Sequence, residues 1–343
     1  MLGKNLCQRR KTVNTKLYFP VGISDFKKIR ENDYYYIDKS GLIKELLKRE
    51  SAEVTLITRP RRFGKTMGMS MLAHFFNIRS DNRELFDGLE ITRDEALCGA
   101  WMNQYPVVFL TLKDIDGLTF EDAYERLAVQ ISNLYKEHAY LLESERMDSD
   151  DRTLFKELKS GSAGKIQVGQ SLHTMSTALK DNTALRFAVI TGCLKIAKES
   201  IFTGTNNFVS DNITDSRFNE YFGFTQEEVD QILADANVSG KAEEVKRWYD
   251  GYHFGRFDVY CPWDVMNYMR DLQQNPEAAP ASYWKNTSDN AVIRSFIEYA
   301  GSNITKKLET LLAGGYIIQR IDENLTYDYL HSSEDNLWSI LYL

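Results

Sequence analysis

The chain has 343 residues, of which 43% are hydrophobic and 27% charged, and its formal net charge is −7. This length exceeds one ordinary hydrophobic core and predicts two domains, with room for a small third. The acidic balance disfavours broad nonspecific binding of nucleic acid by the chain as a whole, although it leaves room for a local basic patch.

Targeting and cysteine patterns favour a cytoplasmic protein. No apolar run approaches the about 18 residues that identify a membrane-spanning helix. Residues 1–16 are basic but lack the apolar stretch of a secretory signal, and we interpret them as a flexible tail. Scattered cysteines without a C-x-x-C pair are typical of reduced thiols and predict neither disulfides nor a zinc site; they are Cys7, Cys98, Cys193 and Cys261.

The first part of the chain alternates strand-like and helix-like segments. In YYYIDKSGLIKELLKRE, an aromatic-rich strand is predicted to lead into a helix whose apolar residues recur at helical spacing. Residues 54–58 predict a strand, and residues 65–76 predict a helix. Further strands are predicted at YPVVFLTL (105–112) and LRFAVITG (185–192), with a long amphipathic helix over 119–142 between them.

Near-continuous apolar strands separated by helices are typical of a parallel sheet covered on both faces. The sequence therefore predicts an α/β core over residues 17–210. Residues 225–255 predict two short helices separated by Val-Ser-Gly, the first of which begins with a capping box of Thr225 and Glu228. Residues 256–343 are predicted to be mostly helical with a tyrosine-rich strand or two, and we expect this region to be truncated because it ends on the apolar run NLWSILYL.

The stretch EVTLITRPRRFGKTMGMSMLAHFF predicts a strand, then a loop that leads into Gly-Lys-Thr, and then a helix. In a phosphate loop of this kind, backbone N–H groups at the start of the helix cradle the phosphates. Gly64 lets the backbone approach closely, Lys65 places a cation between the β- and γ-phosphates, and the Thr66 hydroxyl binds Mg²⁺. The usual motif, G-x-x-x-x-G-K-[ST], has glycine where this chain has Arg59.

Two interpretations of the loop compete. In the first, Gly-Lys-Thr merely begins a helix, and Arg59, Arg61 and Arg62 form a solvated basic loop. In the second, these arginines are an unpaired cationic cluster that attracts an anion, and the loop binds nucleotide. The nucleotide site would then comprise Arg59, Pro60, Arg61, Arg62, Phe63, Gly64, Lys65, Thr66 and Met67.

Long and unusual sequence blocks follow one another along the chain: PVGISDFKKIRENDYYYIDKSGLIKELL, TRPRRFGKTMGMSMLAHFF, LRFAVITGCLKIAKESIFTGTNNF, ITDSRFNEYFGFTQEEV, WYDGYHFG and DVYCPWDVMNYM. In this order, over residues 17–343, the chain resembles the predicted AAA-ATPase-like family of bacteria. The resemblance implies that R-P-R-R-F-G-K-T is the family's own form of the phosphate loop, with ATP and Mg²⁺ as cofactors. It also implies a P-loop NTPase fold, a helical lid over 211–255 and a helical, winged-helix-like C-terminal region.

The resemblance assigns roles to further residues. Thr191 falls where P-loop ATPases keep a polar residue that senses the γ-phosphate. Arg217 is either a sensor or finger for the phosphates or an anchor of the lid, and a structural salt bridge is an equal alternative. Asp38, Lys39 and the segment WYDGYHFG are expected to have packing roles.

One departure from the family pattern concerns catalysis. Family members have an acidic strand that ends in Asp-Glu-Tyr-Asp, but QSLHTMSTALKDNTALRFAVITG lacks it, so its flanking helices are expected to be joined. The resemblance implies that the aspartate of this strand holds Mg²⁺ and that the glutamate activates water. Loss of a general base typically costs about 10²- to 10⁴-fold in rate, so we expect ATP binding with impaired hydrolysis.

A second departure concerns partners. Family members commonly carry a C-terminal PD-(D/E)XK nuclease-like effector domain, whereas this sequence has no such constellation, so the chain is not expected to cut nucleic acid. One alternative function is a nucleotide-independent interaction or scaffold module. Another is nucleic-acid binding through the C-terminal region, which the acidic balance disfavours. The sequence leaves the oligomeric state open.

Overall fold

The structure is a computed structural model. It describes residues 17–48, 54–113, 115, 119–143, 149–171, 187–193, 208–284, 302–322 and 333–342. The predicted tail (1–16) and the segment expected to lack the acidic strand of the family, with its joined helices (172–186), lie outside the described residues. No helix in the described ranges is long and apolar enough to cross a membrane.

A three-stranded parallel sheet organises the N-terminal half of the described structure. Its order is β2 (Ala188–Gly192), β1 (Val54–Thr58) and β3 (Phe208–Asp211). Every residue of the central strand β1 is buried, as expected for a strand with neighbours on both sides and side chains covering both faces. The parallel strands end at one edge of the sheet, so the loops that follow them meet there.

Helices flank this sheet and confirm the predicted mixed α/β class. Their bounds are α1 (Phe26–Glu31), α2 (Gly41–Leu46), α3 (Lys65–Phe76), α4 (Glu95–Trp101), α5 (Phe120–Glu137) and α6 (Ser149–Ser160), and residues 165–171 are also helical. The strands predicted at 54–58 and within 185–192, and the helices predicted at 65–76 and 119–142, are confirmed. The short strand β3 was not predicted.

The main core lies between α3 and the segments packed around it. Phe26, Leu42 and Phe75 are fully buried in one apolar cluster that also contains Ile57 of β1. Phe26 and Phe75 both contact the ring of Phe86, at centroid distances of 4.9 and 5.3 Å. This cluster fixes α3, and with it the loop that precedes α3, against the sheet.

The second half of the described chain is helical apart from one hairpin. It contains α7 (Gln226–Asp235), α8 (Ala242–Tyr249), β4 (Asp250–Phe254), β5 (Phe257–Tyr260), α9 (Pro262–Gln274), α10 (Ser302–Leu312) and α11 (Glu334–Tyr342). The capping box predicted for Thr225 and Glu228 is confirmed at the start of α7. A second apolar cluster joins α7, α8 and α9 to the N-terminal segment through Phe19, Tyr35 and Ile37.

The strand predicted at 105–112 is wrong. Apart from an isolated parallel bridge between Asn77 and Tyr105, this segment is in no sheet, and Val108 and Leu112 are 58% and 55% exposed. The apolar sequence favours an extended strand, but a strand forms only when a neighbour receives its backbone hydrogen bonds. No described strand lies beside these residues.

The aromatic-rich strand predicted within YYYIDKSG is also wrong. The segment is outside every described sheet. Its backbone N–H groups donate from Tyr34 to the Ile29 carbonyl at 3.1 Å and from Tyr35 to the Tyr18 carbonyl at 2.8 Å, which is no strand ladder. Its side chains still alternate between two cores, because Tyr36 packs on the main cluster whereas Tyr35 and Ile37 pack on the second. The alternating pattern that predicted a strand therefore arises because the segment packs between two cores.

Candidate functional site

The loop between β1 and α3 turns sharply at two left-handed residues. Arg62 has φ 74° and Gly64 has φ 81°, and α3 begins at Lys65. A left-handed φ is costly for a residue with a side chain but open to glycine. Left-handed residues at alternate positions produce a concave backbone nest, in which N–H groups converge on one side.

The N–H groups of this nest are free to bind an anion. None of the backbone N–H groups from Phe63 to Met67 donates to an acceptor in the described residues, and Gly64 provides no side-chain cap. The first N–H groups of a helix have no partner within the helix, and the helix dipole adds positive potential there. The loop thus offers a row of donors at the N-terminus of α3.

Lys65 holds its ammonium against carbonyls of the same loop. Its Nζ donates to the carbonyls of Arg59 and Pro60, both at 2.7 Å, and lies 3.6 Å from Sγ of Cys193. Burial lowers the pKa of Lys65 below its usual value. A cation held by carbonyls of its own loop can exchange them for phosphate oxygens, which form stronger, charge-assisted hydrogen bonds.

Thr66 and Met67 have different environments on the first turn of α3. The Thr66 residue is exposed, and its hydroxyl makes no hydrogen bond to any described residue. Met67 packs against the main apolar cluster. The side chain of Thr66 is therefore available to a ligand, whereas that of Met67 supports the helix.

The arginines of the loop do not form the unpaired cluster that the second interpretation assumed. Arg59 is fully buried and forms an ion pair with Asp211 at 2.5 Å. The guanidinium of Arg62 lies 3.8 Å from the ring centroid of Trp263, which is a close cation–π contact. Arg61 is exposed. The alternative of a solvated basic loop is equally wrong for Arg59.

Aromatic residues hold the loop from behind. Phe63 is fully buried and contacts Tyr252 and Phe254 of β4, with ring centroids 4.7 and 5.1 Å apart. Gly223 makes this packing possible, because a Cβ there would lie 2.9 Å from the Phe63 ring and 2.2 Å from Val259. The segment WYDGYHFG, predicted to pack as an aromatic turn, forms part of a hairpin that supports the phosphate loop.

Strand β2 brings Thr191 and Cys193 to the same edge of the sheet. Thr191 is half-buried and lies opposite Ile57 of β1. Residues two apart on a strand share a face, and Cys193, just beyond the strand, is the one that contacts the Lys65 ammonium. Sequence reasoning missed Cys193 because a single thiol carries no spacing signal.

Arg217 is engaged by α2. Its Nε lies 3.2 Å from a carboxylate oxygen of Glu45, and its Nη2 donates to the Glu45 carbonyl at 2.8 Å. The guanidinium also contacts the ring of Phe218. This geometry has the form of the structural salt bridge that the sequence left as an alternative.

The packing roles expected of Asp38 and Lys39 agree with their contacts. The Asp38 carboxylate accepts from the backbone N–H of Ser40 at 2.8 Å and of Glu90 at 2.6 Å. The Lys39 ammonium donates to Glu228 in α7 at 2.6 Å. Both residues thus fix the N-terminal segment.

Asp211 and Asn219 are site residues that sequence reasoning missed. Both accept hydrogen bonds from the Arg59 guanidinium, at 2.5 and 2.7 Å. Burial raises the pKa of Asp211, and the charge of Arg59 counteracts that rise. Asp211 is the only carboxylate within the three strands of the described sheet, and it faces an arginine.

Metal binding by protein side chains alone has no support in the described residues. They contain no group of three or more His, Cys, Asp or Glu side chains that could hold an ion. Mg²⁺ in a nucleotide site commonly binds through one or two protein groups, phosphates and water. The Thr66 hydroxyl beside an anion nest fits that mode.

Comparison with known proteins agrees with this geometry. Residues 20–168 match the model of a family described as predicted AAA-ATPase. This similarity covers less than half of the chain, and the matched residues form the AAA-ATPase-like segment. The match includes the whole phosphate loop of the AAA-ATPase-like segment but ends before Thr191 and Arg217, whose roles remain predictions.

A curated relative extends the similarity beyond the AAA-ATPase-like segment. The chain is 30% identical over 293 residues to an uncharacterized protein in the vnfD 5′ region of Azotobacter chroococcum mcd 1. The alignment covers 78% of this chain and 54% of the relative, so the chain spans about half the length of that protein. No solved structure matches the chain significantly.

Proposed function

We propose that the chain is an ATP-binding module of the P-loop type. The observation that carries this proposal is the row of N–H groups from Phe63 to Met67, which have no acceptor among the described residues, together with the Lys65 ammonium held by carbonyls of the same loop. The match of residues 20–168 to a predicted AAA-ATPase family supports it. A parallel sheet whose central strand leads directly into this loop is also what the P-loop architecture requires.

Each residue of the loop has a distinct role in the proposed complex. The backbone of Phe63, Gly64 and Lys65 donates to the phosphates, and the Lys65 ammonium leaves the loop carbonyls to neutralise them. The Thr66 hydroxyl holds Mg²⁺. The exposed side chain of Arg61 is the one loop guanidinium placed to reach phosphate from solvent, because Arg59 and Arg62 are directed to other partners.

We infer that hydrolysis is slow. A P-loop ATPase needs a carboxylate to orient or deprotonate the attacking water. Asp211, the only carboxylate within the three described strands of the parallel sheet, is committed to Arg59 and so does not supply that base. The expected loss is about 10²- to 10⁴-fold in rate relative to a P-loop ATPase with a general base.

The wider organisation is also a proposal. We assign residues 17–210 to the ATPase core, 211–255 to a helical lid and 256–343 to a winged-helix-like C-terminal region, acting in the cytoplasm. Hairpin β4–β5 packs on Phe63, which gives residues after 211 direct contact with the loop. A nuclease-like effector, as in family relatives, is the proposed partner.

Equilibrium titration with a fluorescent ATP analogue, with and without Mg²⁺, tests the proposal. The unmodified protein should bind the analogue, and Lys65→Met should weaken binding by at least about tenfold, since it removes a charge-assisted contact to phosphate. Lys44→Met is the matched control: Lys44 is exposed on α2 and makes only a 3.9 Å contact with Asp94.

Two results would contradict the proposal. One is absence of analogue binding by the unmodified chain, which would favour the alternative of a nucleotide-independent scaffold module. The other is binding that Lys65→Met and Lys44→Met affect equally, because the bound nucleotide would then lie elsewhere.

A further inference from the structure

The buried side chain of Arg59 connects the phosphate loop to the elements behind it. Its Nη2 donates to Asp211 Oδ1 at 2.5 Å and to Asn219 Oδ1 at 2.7 Å. Its Nη1 donates to the carbonyls of Thr58, at 2.7 Å, and Asp211, at 3.2 Å. One guanidinium therefore joins the end of β1, the end of β3 and the turn at Asn219.

Aromatic rings complete the enclosure of this guanidinium. Its central carbon lies 5.5 Å from the ring centroid of Phe222 and 5.7 Å from that of Phe254. Phe254 also packs on Phe63 of the loop. The position of the Arg59 side chain is thus set by polar partners and by aromatic packing together.

The backbone of the same residue positions Lys65. The carbonyls of Arg59 and Pro60 both accept from the Lys65 ammonium at 2.7 Å. The Arg59 N–H donates to the Gly192 carbonyl of β2 at 3.1 Å. A shift of Arg59 would therefore move the acceptors that hold the Lys65 ammonium.

Stability alone is a poor explanation for this arrangement. Removing two charges from water carries a free-energy cost that often equals their attraction inside the protein. Apolar residues of similar volume can therefore replace such ion pairs without loss of stability. The Arg59 Nε–H is buried without an acceptor, which adds to the cost. Burial also lowers the pKa of Arg59 and raises the pKa of Asp211, so desolvation opposes the charged form of both side chains.

We propose that Arg59 and Asp211 are positioning residues, whose ion pair fixes the phosphate loop in the conformation that binds ATP. The inference rests on the proposed ATP site and deepens it. Neither side chain touches the nucleotide. The pair sets the carbonyls of Arg59 and Pro60, these hold the Lys65 ammonium until phosphate replaces them, and the open row of N–H groups follows from the resulting loop.

The test measures the dissociation constant of the fluorescent ATP analogue for Arg59→Lys and Asp211→Asn. Lysine has no planar fork and cannot bind Asp211, Asn219 and the Thr58 carbonyl at once. Asparagine keeps the shape of Asp211 but removes its charge. Each variant should weaken binding by about tenfold or more, as loss of a residue that orients a ligand-binding group commonly does.

The double variant gives a second readout. Because the two residues act through one contact, the loss in Arg59→Lys with Asp211→Asn should be smaller than the product of the single losses. Arg30→Lys is the matched control, since Arg30 also bridges backbone carbonyls, of Leu85 at 2.7 Å and Asp87 at 2.8 Å. This control should bind the analogue as tightly as the unmodified protein.

A merely structural role predicts a different outcome. The variants would then unfold at lower temperature but bind the analogue normally at temperatures where circular dichroism shows them folded, and this result would overturn the inference while leaving the ATP site intact. If Arg59→Lys does not fold, Asp211→Asn decides the test alone. Absence of analogue binding by the unmodified protein would overturn both proposals.

Discussion

Gly64 shows how a single backbone position controls the site. Its left-handed φ of 81° turns the chain into α3, and a Cβ added there would meet no atom within 4 Å. The backbone conformation therefore favours glycine here, whereas no neighbouring side chain excludes a methyl group. The strand and helix on either side of this loop could be predicted from the sequence, whereas phosphate binding by Gly64, Lys65 and Thr66 stays a prediction.

Gly64→Ala separates the cost of conformation from the cost of lost binding. Alanine in the left-handed region should destabilise the fold by about 1–2 kcal/mol, and its methyl group should project into the nest. Gly88→Ala is a matched control, because Gly88 has φ 78° and also meets nothing within 4 Å. Urea unfolding should show similar losses for both variants, whereas ATP titration should show weaker binding only for Gly64→Ala. Equal ATP affinity in the two variants would contradict the account.

Cys193 provides a chemical probe of the same site. Its thiol lies 3.6 Å from Lys65 Nζ, so bound Mg-ATP should shield it from alkylation by N-ethylmaleimide. Mass spectrometry of labelled peptides should show slower modification of Cys193 when Mg-ATP is present. Cys98 is the internal control, and its rate should not change. Cys261 should stay unmodified, because it is buried and its pKa is raised to about 12. ATP-independent labelling of Cys193 would argue against a nucleotide beside Lys65.

The lowered pKa of Lys65 predicts a pH dependence of ATP affinity. Burial places this pKa below the usual 10.5 in the free protein, whereas binding of phosphate requires the charged ammonium. As the pH rises through the lowered pKa, the free protein loses the proton that the complex needs, so affinity should fall. Titrations in a pH series below 10.5 should show this fall for the unmodified protein but not for Lys65→Arg, which stays charged. An ATP affinity of the unmodified protein that stays constant over this pH series would contradict the prediction.

At the scale of elements, burial pattern predicted some strands correctly and misplaced others. The run Val54–Thr58 is buried throughout and forms the central strand, as its continuous apolar sequence indicated. YPVVFLTL has an equally apolar sequence, yet no described strand lies beside it. Strand formation depends on a partner that can be distant in sequence, so local pattern cannot decide it. Helices hold their own hydrogen bonds, and their prediction was correspondingly better.

The capping boxes of α5 and α7 allow a comparison between matched elements. The Asp122 side chain accepts from the backbone N–H of the N-cap residue Thr119 in α5, and the Glu228 side chain accepts from that of Thr225 in α7. Glu228 additionally binds the half-buried ammonium of Lys39 at 2.6 Å. Glu228→Ala should therefore cost about 2–3 kcal/mol, since it removes hydrogen bonds to a charged group, against about 1 kcal/mol or less for Asp122→Ala. Urea unfolding measures both, and equal losses would show that the contact with Lys39 contributes nothing.

At the scale of the whole molecule, the phosphate loop lies where separate parts of the chain converge. Arg59 is held by Asp211 and Asn219, and Phe63 is held by the hairpin β4–β5. The sequence predicted the loop and its helix but not these supports. Asp211, Asn219 and the hairpin carry no recognisable spacing relative to the loop, because their relation to it arises only from tertiary packing.

The account depends on the claim that the backbone N–H groups at the start of α3 receive the phosphates of ATP. Solution NMR of ¹⁵N-labelled protein during titration with Mg-ATP tests this claim most directly, because amide signals report each N–H group separately. The account predicts that the amides of Phe63, Gly64, Lys65, Thr66 and Met67 shift most and reach saturation together. Shifts confined to other residues, with these amides unchanged at saturating ATP, would contradict it.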